Sequence, residues 1–204
     1  MPLKILALNC SLKSASVPSS TQKLLSELMS AFSEYDGGGE ILRVVDFNIK
    51  PGVSADEGPG DDWPGLRQRV LDCDILLMGS PIWLGQPSSV AKRVLERMDA
   101  FLGERDDMQR MPTYGKVAVV AVVGNEDGAH HVAAELCEAL GELGFTIPTG
   151  VVTYWVGEAL GKTNYIDLQK PPSEVAEWTL LLAANAAHLA TLLKKSNYPG
   201  RKSG

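Results

Sequence analysis

Five apolar runs of strand length alternate along this chain with segments of helical period, and that alternation constrains its fold more than any other feature. Leu3–Asn9 opens the series, with Ile5, Leu6, Ala7 and Leu8 apolar in succession. A strand that loses its polar alternation is buried on both faces, which is the mark of a parallel sheet. Ser19 or Ser20 offers an N-cap, and Leu24, Leu25, Leu28, Met29 and Phe32 form one face of the helix that follows. Gly37-Gly38-Gly39 is expected to end that helix. The second strand is read over Ile41–Phe47, and Asn48–Gly65 as a Gly-, Pro- and Asp-rich loop. A short helix is expected over Gly65–Leu71 and the third strand over Asp74–Gly79.

Ser88 or Ser89 can cap the next helix, whose Val90, Val94, Leu95, Met98, Phe101 and Leu102 share a face. Lys116–Gly124 is the strongest strand, because a helix would not select so many β-branched valines. Val132, Leu136, Leu140 and Leu143 pattern a helix closed by Gly144. Phe145–Val156 is the fifth strand region, with Pro148 and Gly150 pointing to a late start. Pro171-Pro172-Ser173 opens a long helix to about Lys195, with Trp178, Leu182, Leu189 and Leu193 on one side. Residues 1–196 are therefore expected to form a single domain, and 197–204 a disordered polar tail. Five β–α units in this order imply a parallel sheet with helices on both faces. Ligands in such sheets bind beyond the carboxyl ends of the strands.

Composition removes several function classes. A net charge of -6 leaves no basic stripe to displace counterions from nucleic acid. Cys10, Cys73 and Cys137 are too widely spaced for a disulfide framework or a metal motif. The N-terminal apolar run is shorter than a signal peptide requires, and no run reaches the length of a membrane span. A soluble cytoplasmic protein is the expectation.

Three loops carry the chemistry. Asn9–Thr21 holds six hydroxyl side chains in thirteen residues and leads into a helix N-terminus. Backbone amides, a helix dipole and neutral hydroxyls together suit a phosphate, although the same composition also suits a mobile loop with a helix cap. The loop lacks both G-x-G-x-x-G and G-x-x-x-x-G-K-[ST], which argues against a dinucleotide Rossmann site and a P-loop. An acidic cluster of the receiver type is missing too, since Asn9 and Cys10 stand in its place. Gly79–Ser88 sets Trp83 among small residues, where a flat ring could lie against it and Pro81, or where Trp83 could pack under its own helix. Gly124–His131 again brings glycines to a helix start. His130 and His131 are adjacent and so face different ways, which suits solvated histidines better than a metal pair. His188 is expected to be a packing residue.

Together these loops resemble the flavodoxin-like NAD(P)H-dependent FMN reductases and their quinone- and azo-reductase relatives. Cys10-Ser11-Leu12-Lys13 and Ser19-Ser20-Thr21 occupy the places of the family's G-S-x-R turn and Ser-x-Thr helix start. Gly79-Ser80-Pro81-Ile82-Trp83-Leu84-Gly85 and Ala91-Lys92 match its second motif, with Trp83 for tyrosine. The likeness runs from residue 3 to about 195. It implies a flavodoxin-like, doubly wound, five-stranded sheet of order 2-1-3-4-5. It also implies FMN as cofactor, NADPH or NADH as reductant, a small-molecule electron acceptor, and a homodimer or higher oligomer.

By the same resemblance the phosphate would sit over Ser11, Lys13, Ser19, Ser20 and Thr21. The ring would lie between Pro81, Ile82, Trp83, Leu84 and Gly85 on one side and Gly124, Asn125 and Gly128 on the other. No catalytic side chain is required, because the cofactor supplies the reactivity and backbone N–H groups the stabilisation. Trp83, the Pro51–Pro64 loop, Tyr154 and Trp155 could shape an opening for the acceptor. Two departures from the family pattern have stated costs. Cys10 replaces the turn glycine and would be strained at positive φ, and Lys13 replaces an arginine and loses its bidentate fork. The absent four-cysteine cluster excludes the iron–sulfur branch. A flavodoxin-like carrier without nicotinamide activity and a flavin-free scaffold are the competing expectations.

Overall fold

The computed structural model describes residues 2–202. Its strands are β1 (Leu3–Asn9), β2 (Gly37–Arg43), β3 (Ile75–Trp83), β4 (Gln86–Pro87), β5 (Val117–Gly124) and β6 (Val152–Val156). The helices are α1 (Ser20–Phe32), α2 (Trp63–Asp72), α3 (Ser89–Met98), α4 (Ala129–Glu142) and α5 (Ser173–Lys195). The sheet order is β2-β1-β3-β5-β6, all parallel, with β4 paired antiparallel to β3 alone. Without that two-residue strand, the order is the expected 2-1-3-4-5.

Two apolar clusters lie on the two faces of the sheet, so both faces are covered. Leu6, Leu8, Leu76, Met78, Val120 and Val122 pack with α2, α3 and α4. Ile5, Ala7, Ile75, Leu77, Val119 and Ala121 pack with α1 and α5. The period-2 split of one strand between two cores follows from the alternation of its side chains. All eight residues of β5 are buried except Gly124, which explains why its sequence reads as an unbroken apolar run.

Four elements differ from the sequence expectation. The triple glycine is the start of β2 and does not cap α1. The first helix stops at Phe32, a 3-10 turn covers Ser33–Tyr35, and Asp36 takes the left-handed conformation at φ 55°. An aspartate tolerates that conformation. A β-carbon at Gly39 would fall 1.7 Å from the carbonyl oxygen of Ile5, so the neighbouring strand requires glycine there.

β2 therefore ends at Arg43, and Val44–Asp46 forms a 3-10 turn. β3 runs on through Pro81 to Trp83 and folds back at Leu84-Gly85. Both turn residues have positive φ, 52° and 73°, as a tight two-residue hairpin demands. As Pro148 and Gly150 led one to expect, the fifth strand starts late, at Val152, leaving Thr146 in a lone bridge to Val117. On α5, Trp178 and His188 are exposed, whereas Leu182 is fully buried. His188 is not a packing residue.

Among the described residues no helix is long and apolar enough to cross a membrane. Residues beyond α5 as far as Arg201 lie against the protein: Tyr198 packs edge-on to Tyr114, and Arg201 N donates to Met108 O.

Candidate flavin site

The carboxyl ends of β1, β3 and β5 converge on one cleft of about 140 Å³. Parallel strands place their following loops side by side, so segments far apart in sequence share one wall. The loop after β1 contributes Ser11, Lys13, Ser19, Ser20 and Thr21 to its lining. The end of β3 contributes Pro81, Ile82 and Trp83, and the end of β5 contributes Gly124 and Asn125. Leu84, Gly85 and Gly128 lie outside the lining. Leu84 is 92% exposed at the hairpin tip, and Gly128 is pressed against the Gly85 backbone.

The β1 loop is built from local hydrogen bonds. Ser19 is the N-cap of α1, its hydroxyl accepting from Gln22 N at 3.3 Å. The amides of Ser20 and Thr21, ahead of the capped Gln22, have no intrahelical acceptor and so remain donors at the cleft. Ser11 N donates to Asn9 Oδ1 at 3.0 Å and Lys13 N to Ser11 Oγ at 3.2 Å. Ser20 Oγ accepts from Ile166 N at 3.2 Å, which leaves its own proton free to donate.

Cys10, singled out for possible strain, has none: its φ is not positive. Its thiol is fully buried among Leu8, Met78 and Ala91 in one core, and burial pushes its pKa far up. Cys10 O accepts from the buried Ser88 hydroxyl at 2.6 Å, which ties the β1 loop to the cap of α3.

Sequence reasoning assigned no role in the site to Arg43, Asn164 or Tyr165, nor to Glu126, which also lines the cleft. Arg43, at the end of β2, donates to Lys13 O at 2.7 Å and Ser14 O at 2.8 Å. Burial lowers its pKa and nearby Asp46 raises it. Arg43 directly after the apolar pair Ile41-Leu42, at the carboxyl end of β2, was the available signal. Asn164 and Tyr165 come from the segment 157–168, which crosses the site. Leu160 N donates to Asn125 O at 2.7 Å, and Asn125 Nδ2 donates to Gly161 O at 3.0 Å. The Tyr165 hydroxyl donates to Glu27, and burial and that carboxylate together keep it protonated. Its ring lies 5.4 Å from that of Trp155, also in the lining. Nothing in the composition of 157–168 announced this role.

His130 and His131 are both exposed. The first meets Tyr154 OH at 3.1 Å and the second Glu135 at 2.8 Å. Among the described residues no group of three or more His, Cys, Asp or Glu could hold a metal ion. A larger, apolar cavity of about 830 Å³ follows the open edge of β6, between α4 and α5. Trp155 borders both cavities, but the hydroxyls, the ammonium and the helix N-terminus all belong to the smaller one.

A parallel sheet with an anion-suited loop after its first strand and a stacking wall after its third defines a nucleotide-type flavin fold. The model of the NADPH-dependent FMN reductases matches residues 3–159, and the chain belongs to that family. It is 31% identical over 208 residues to the 8-demethyl-8-aminoriboflavin-5'-phosphate synthase of Streptomyces davaonensis, covering 97% of this chain and 81% of that protein. The crystal structure of RosB with bound intermediate 8-demethyl-8-formylriboflavin-5'-phosphate superposes with a TM-score of 0.88 at 31% identity, over 97% of this chain and 82% of that one.

A divalent metal cation transporter MntH of Mycobacterium bovis is 34% identical across 94% of this chain, which spans only 29% of that protein's length. The apo NADH:FMN oxidoreductase EMOB shares the fold, with a TM-score of 0.62 at 19% identity over 98% of this chain and 94% of that one.

Proposed function

We propose that this chain binds FMN in the cleft and works as a two-electron oxidoreductase, drawing on NADPH or NADH and serving a small-molecule acceptor. The observation that carries the reading is the joining of an anion-suited wall and an aromatic wall in one cleft. Ser11, Lys13, Ser19, Ser20 and Thr21 would hold the phosphate, as family membership implies. The free proton on Ser20 Oγ and the unpaired amides at the start of α1 fit that anion. Pro81–Trp83 and Gly124–Asn125 would flank the ring. Bound FMN supplies the capacity to accept and release a hydride, so the lining residues need only bind, orient and shield.

Backbone amides at Ile82–Trp83 and Gly124–Asn125 are suited to stabilise negative charge at the ring edge. The cleft is smaller than the roughly 300–1,000 Å³ of most small-molecule sites, so a seated FMN would leave part of its surface open to reductant and acceptor. Trp83, 51% exposed, stands at that opening. Self-association as a homodimer or larger assembly is part of the proposal by family analogy, as is a cytoplasmic location.

The test is spectroscopic. Purified protein with added FMN is expected to show a perturbed flavin band that bleaches rapidly when NADPH or NADH is added without oxygen. Bleaching by dithionite alone would instead indicate an electron carrier, and no perturbation at all would reject flavin binding. Ser11→Ala and Thr21→Ala are each expected to weaken FMN binding.

A second reading rests on the RosB likeness, which at a TM-score of 0.88 far exceeds the 0.62 of EMOB. In it the flavin is a substrate altered at its 8-position. Mass spectrometry of flavin extracted from the purified protein separates the two readings. Unmodified FMN supports the cofactor role, and an 8-formyl or 8-amino derivative supports the substrate role.

A further inference from the structure

The phosphate-side loop is not self-supporting. Its own contacts reduce to short turns, such as Val17 N to Ser14 O at 3.0 Å and the Ser14–Ser16 hydroxyl pair at 2.7 Å. Ser88 holds its start at Cys10 and Ile166 its end at Ser20, whereas the outside support of residues 13–17 comes from the end of β2. Arg43 is 8% exposed, and its Nη1 donates to three loop carbonyls: Lys13 at 2.7 Å, Ser14 at 2.8 Å and Val17 at 3.4 Å. Its Nη2 reaches Gln22 Oε1 at 3.4 Å, and that oxygen also accepts from Asn9 Nδ2 at 2.9 Å. Asp46, three residues on, accepts from Ala15 N at 2.9 Å. Arg43 Nε is buried with no partner among the described residues.

We propose that Arg43 is a positioning residue for the phosphate end of the flavin, and that it makes the site select FMN over riboflavin. The inference rests on the FMN reading above. Lys13, inside the loop, is a point charge without a planar fork. Arg43 acts instead on the loop backbone, holding the carbonyls of Lys13 and Ser14 from outside the cleft lining.

A trans peptide sets its C=O and N–H on opposite sides. Drawing Lys13 O onto the guanidinium therefore turns the Ser14 amide the other way, and carbonyl oxygens that would repel an anion are held back from it. A phosphate monoester carries about −1.5 to −2 charges, so misplaced carbonyls and a lost cation penalise it heavily. The ring walls, Pro81–Trp83 and Gly124–Asn125, make none of the Arg43 contacts. Riboflavin, which has the ring but no phosphate, is then insensitive to the residue.

The test compares dissociation constants for FMN and riboflavin, read by quenching of flavin fluorescence, in the full chain and in Arg43→Met and Arg43→Lys. The unaltered protein is expected to prefer FMN. Arg43→Met should raise the FMN constant at least tenfold and change the riboflavin constant by less than twofold. Arg43→Lys, which keeps the charge and loses the fork, should fall between. Should Arg43→Met fail to fold, Arg43→Lys decides, with an expected fall of at least threefold in the FMN-to-riboflavin preference.

An unchanged FMN constant, or equal rises for both flavins, would overturn the proposal while leaving the FMN reading intact. So would an unaltered protein that binds both flavins equally. An unaltered protein that binds neither flavin would reject the FMN reading, and this inference with it.

Discussion

The Arg97 guanidinium and the Asp61 carboxylate meet at 2.8 Å with neither side chain exposed. Arg97 also donates to Lys50 O and Ser54 O, each at 2.9 Å, and lies over the Trp63 ring. Asp61 accepts from the amides of Lys50, Glu57 and Trp63. The irregular loop between β2 and α2 thus has a polar centre in which the Arg97–Asp61 ion pair is backed by backbone hydrogen bonds on both sides. Asp61→Asn would leave a buried, unpaired cation, at an expected cost of about 3–5 kcal/mol. Chemical denaturation of the two proteins measures it.

The same pair gives stability a pH dependence. Burial pushes the Asp61 carboxyl up, but Arg97 and the three amides outweigh it and hold the pKa at about 2. The unfolded value is about 3.9, so the unfolded chain takes up the proton first as pH falls. The contribution is complete above pH of about 4 and is lost as pH falls through about 2. The melting temperature should drop over that window, and less steeply in Asp61→Asn.

Ser88 serves two elements at once. Its hydroxyl accepts from Ala91 N at 3.1 Å as the α3 cap and donates to Cys10 O at 2.6 Å. Ser88→Ala removes the cap and strands a buried carbonyl, at an expected cost of about 2 kcal/mol. Urea unfolding should show a lower midpoint with an unchanged slope.

Gly128 has φ 117°, and a β-carbon there would lie 2.7 Å from Gly85 Cα. Neither the strain nor the contact can relax without moving the β3–β4 hairpin. Gly128→Ala should lose about 2–4 kcal/mol of stability, measurable by thermal unfolding.

Thiol reactivity follows burial. Burial pushes Cys10 far up, Cys73 to about 12 and Cys137 to about 11. Iodoacetamide at pH 8 should leave Cys10 and Cys73 unmodified in the native protein and label Cys137 only slowly. Peptide mapping after unfolding should find all three reactive.

The two-core sheet was legible in the sequence because periodicity is local. Ile5–Leu8, Ile75–Met78 and the valines of β5 declare buried strands wherever they sit in the chain. The helix faces followed from the same period, and of the serines offered as caps the structure uses Ser19 and Ser88. The rule that parallel strands deliver their loops to one end then brought ten of the thirteen expected ligand residues to a single cleft.

What local pattern could not decide depended on partners far along the chain. Gly37–Gly39 reads as a helix stop until the Ile5 backbone is placed beside it. Gly79–Gly85 reads as a loop until β5 offers Ala121–Val123 for pairing. The Asn9–Thr21 loop shows its hydroxyls in the sequence, but the arginine that orders its carbonyls lies about 30 residues away, at the end of another strand. The sequence alone determined which segments are strands, which are helices, and that a hydroxyl-rich loop faces a helix start. Only the tertiary structure decided that Cys10 is unstrained, that Arg43 holds the carbonyls of Lys13 and Ser14, and that the segment 157–168 crosses the cleft, because each depends on packing between residues distant in sequence.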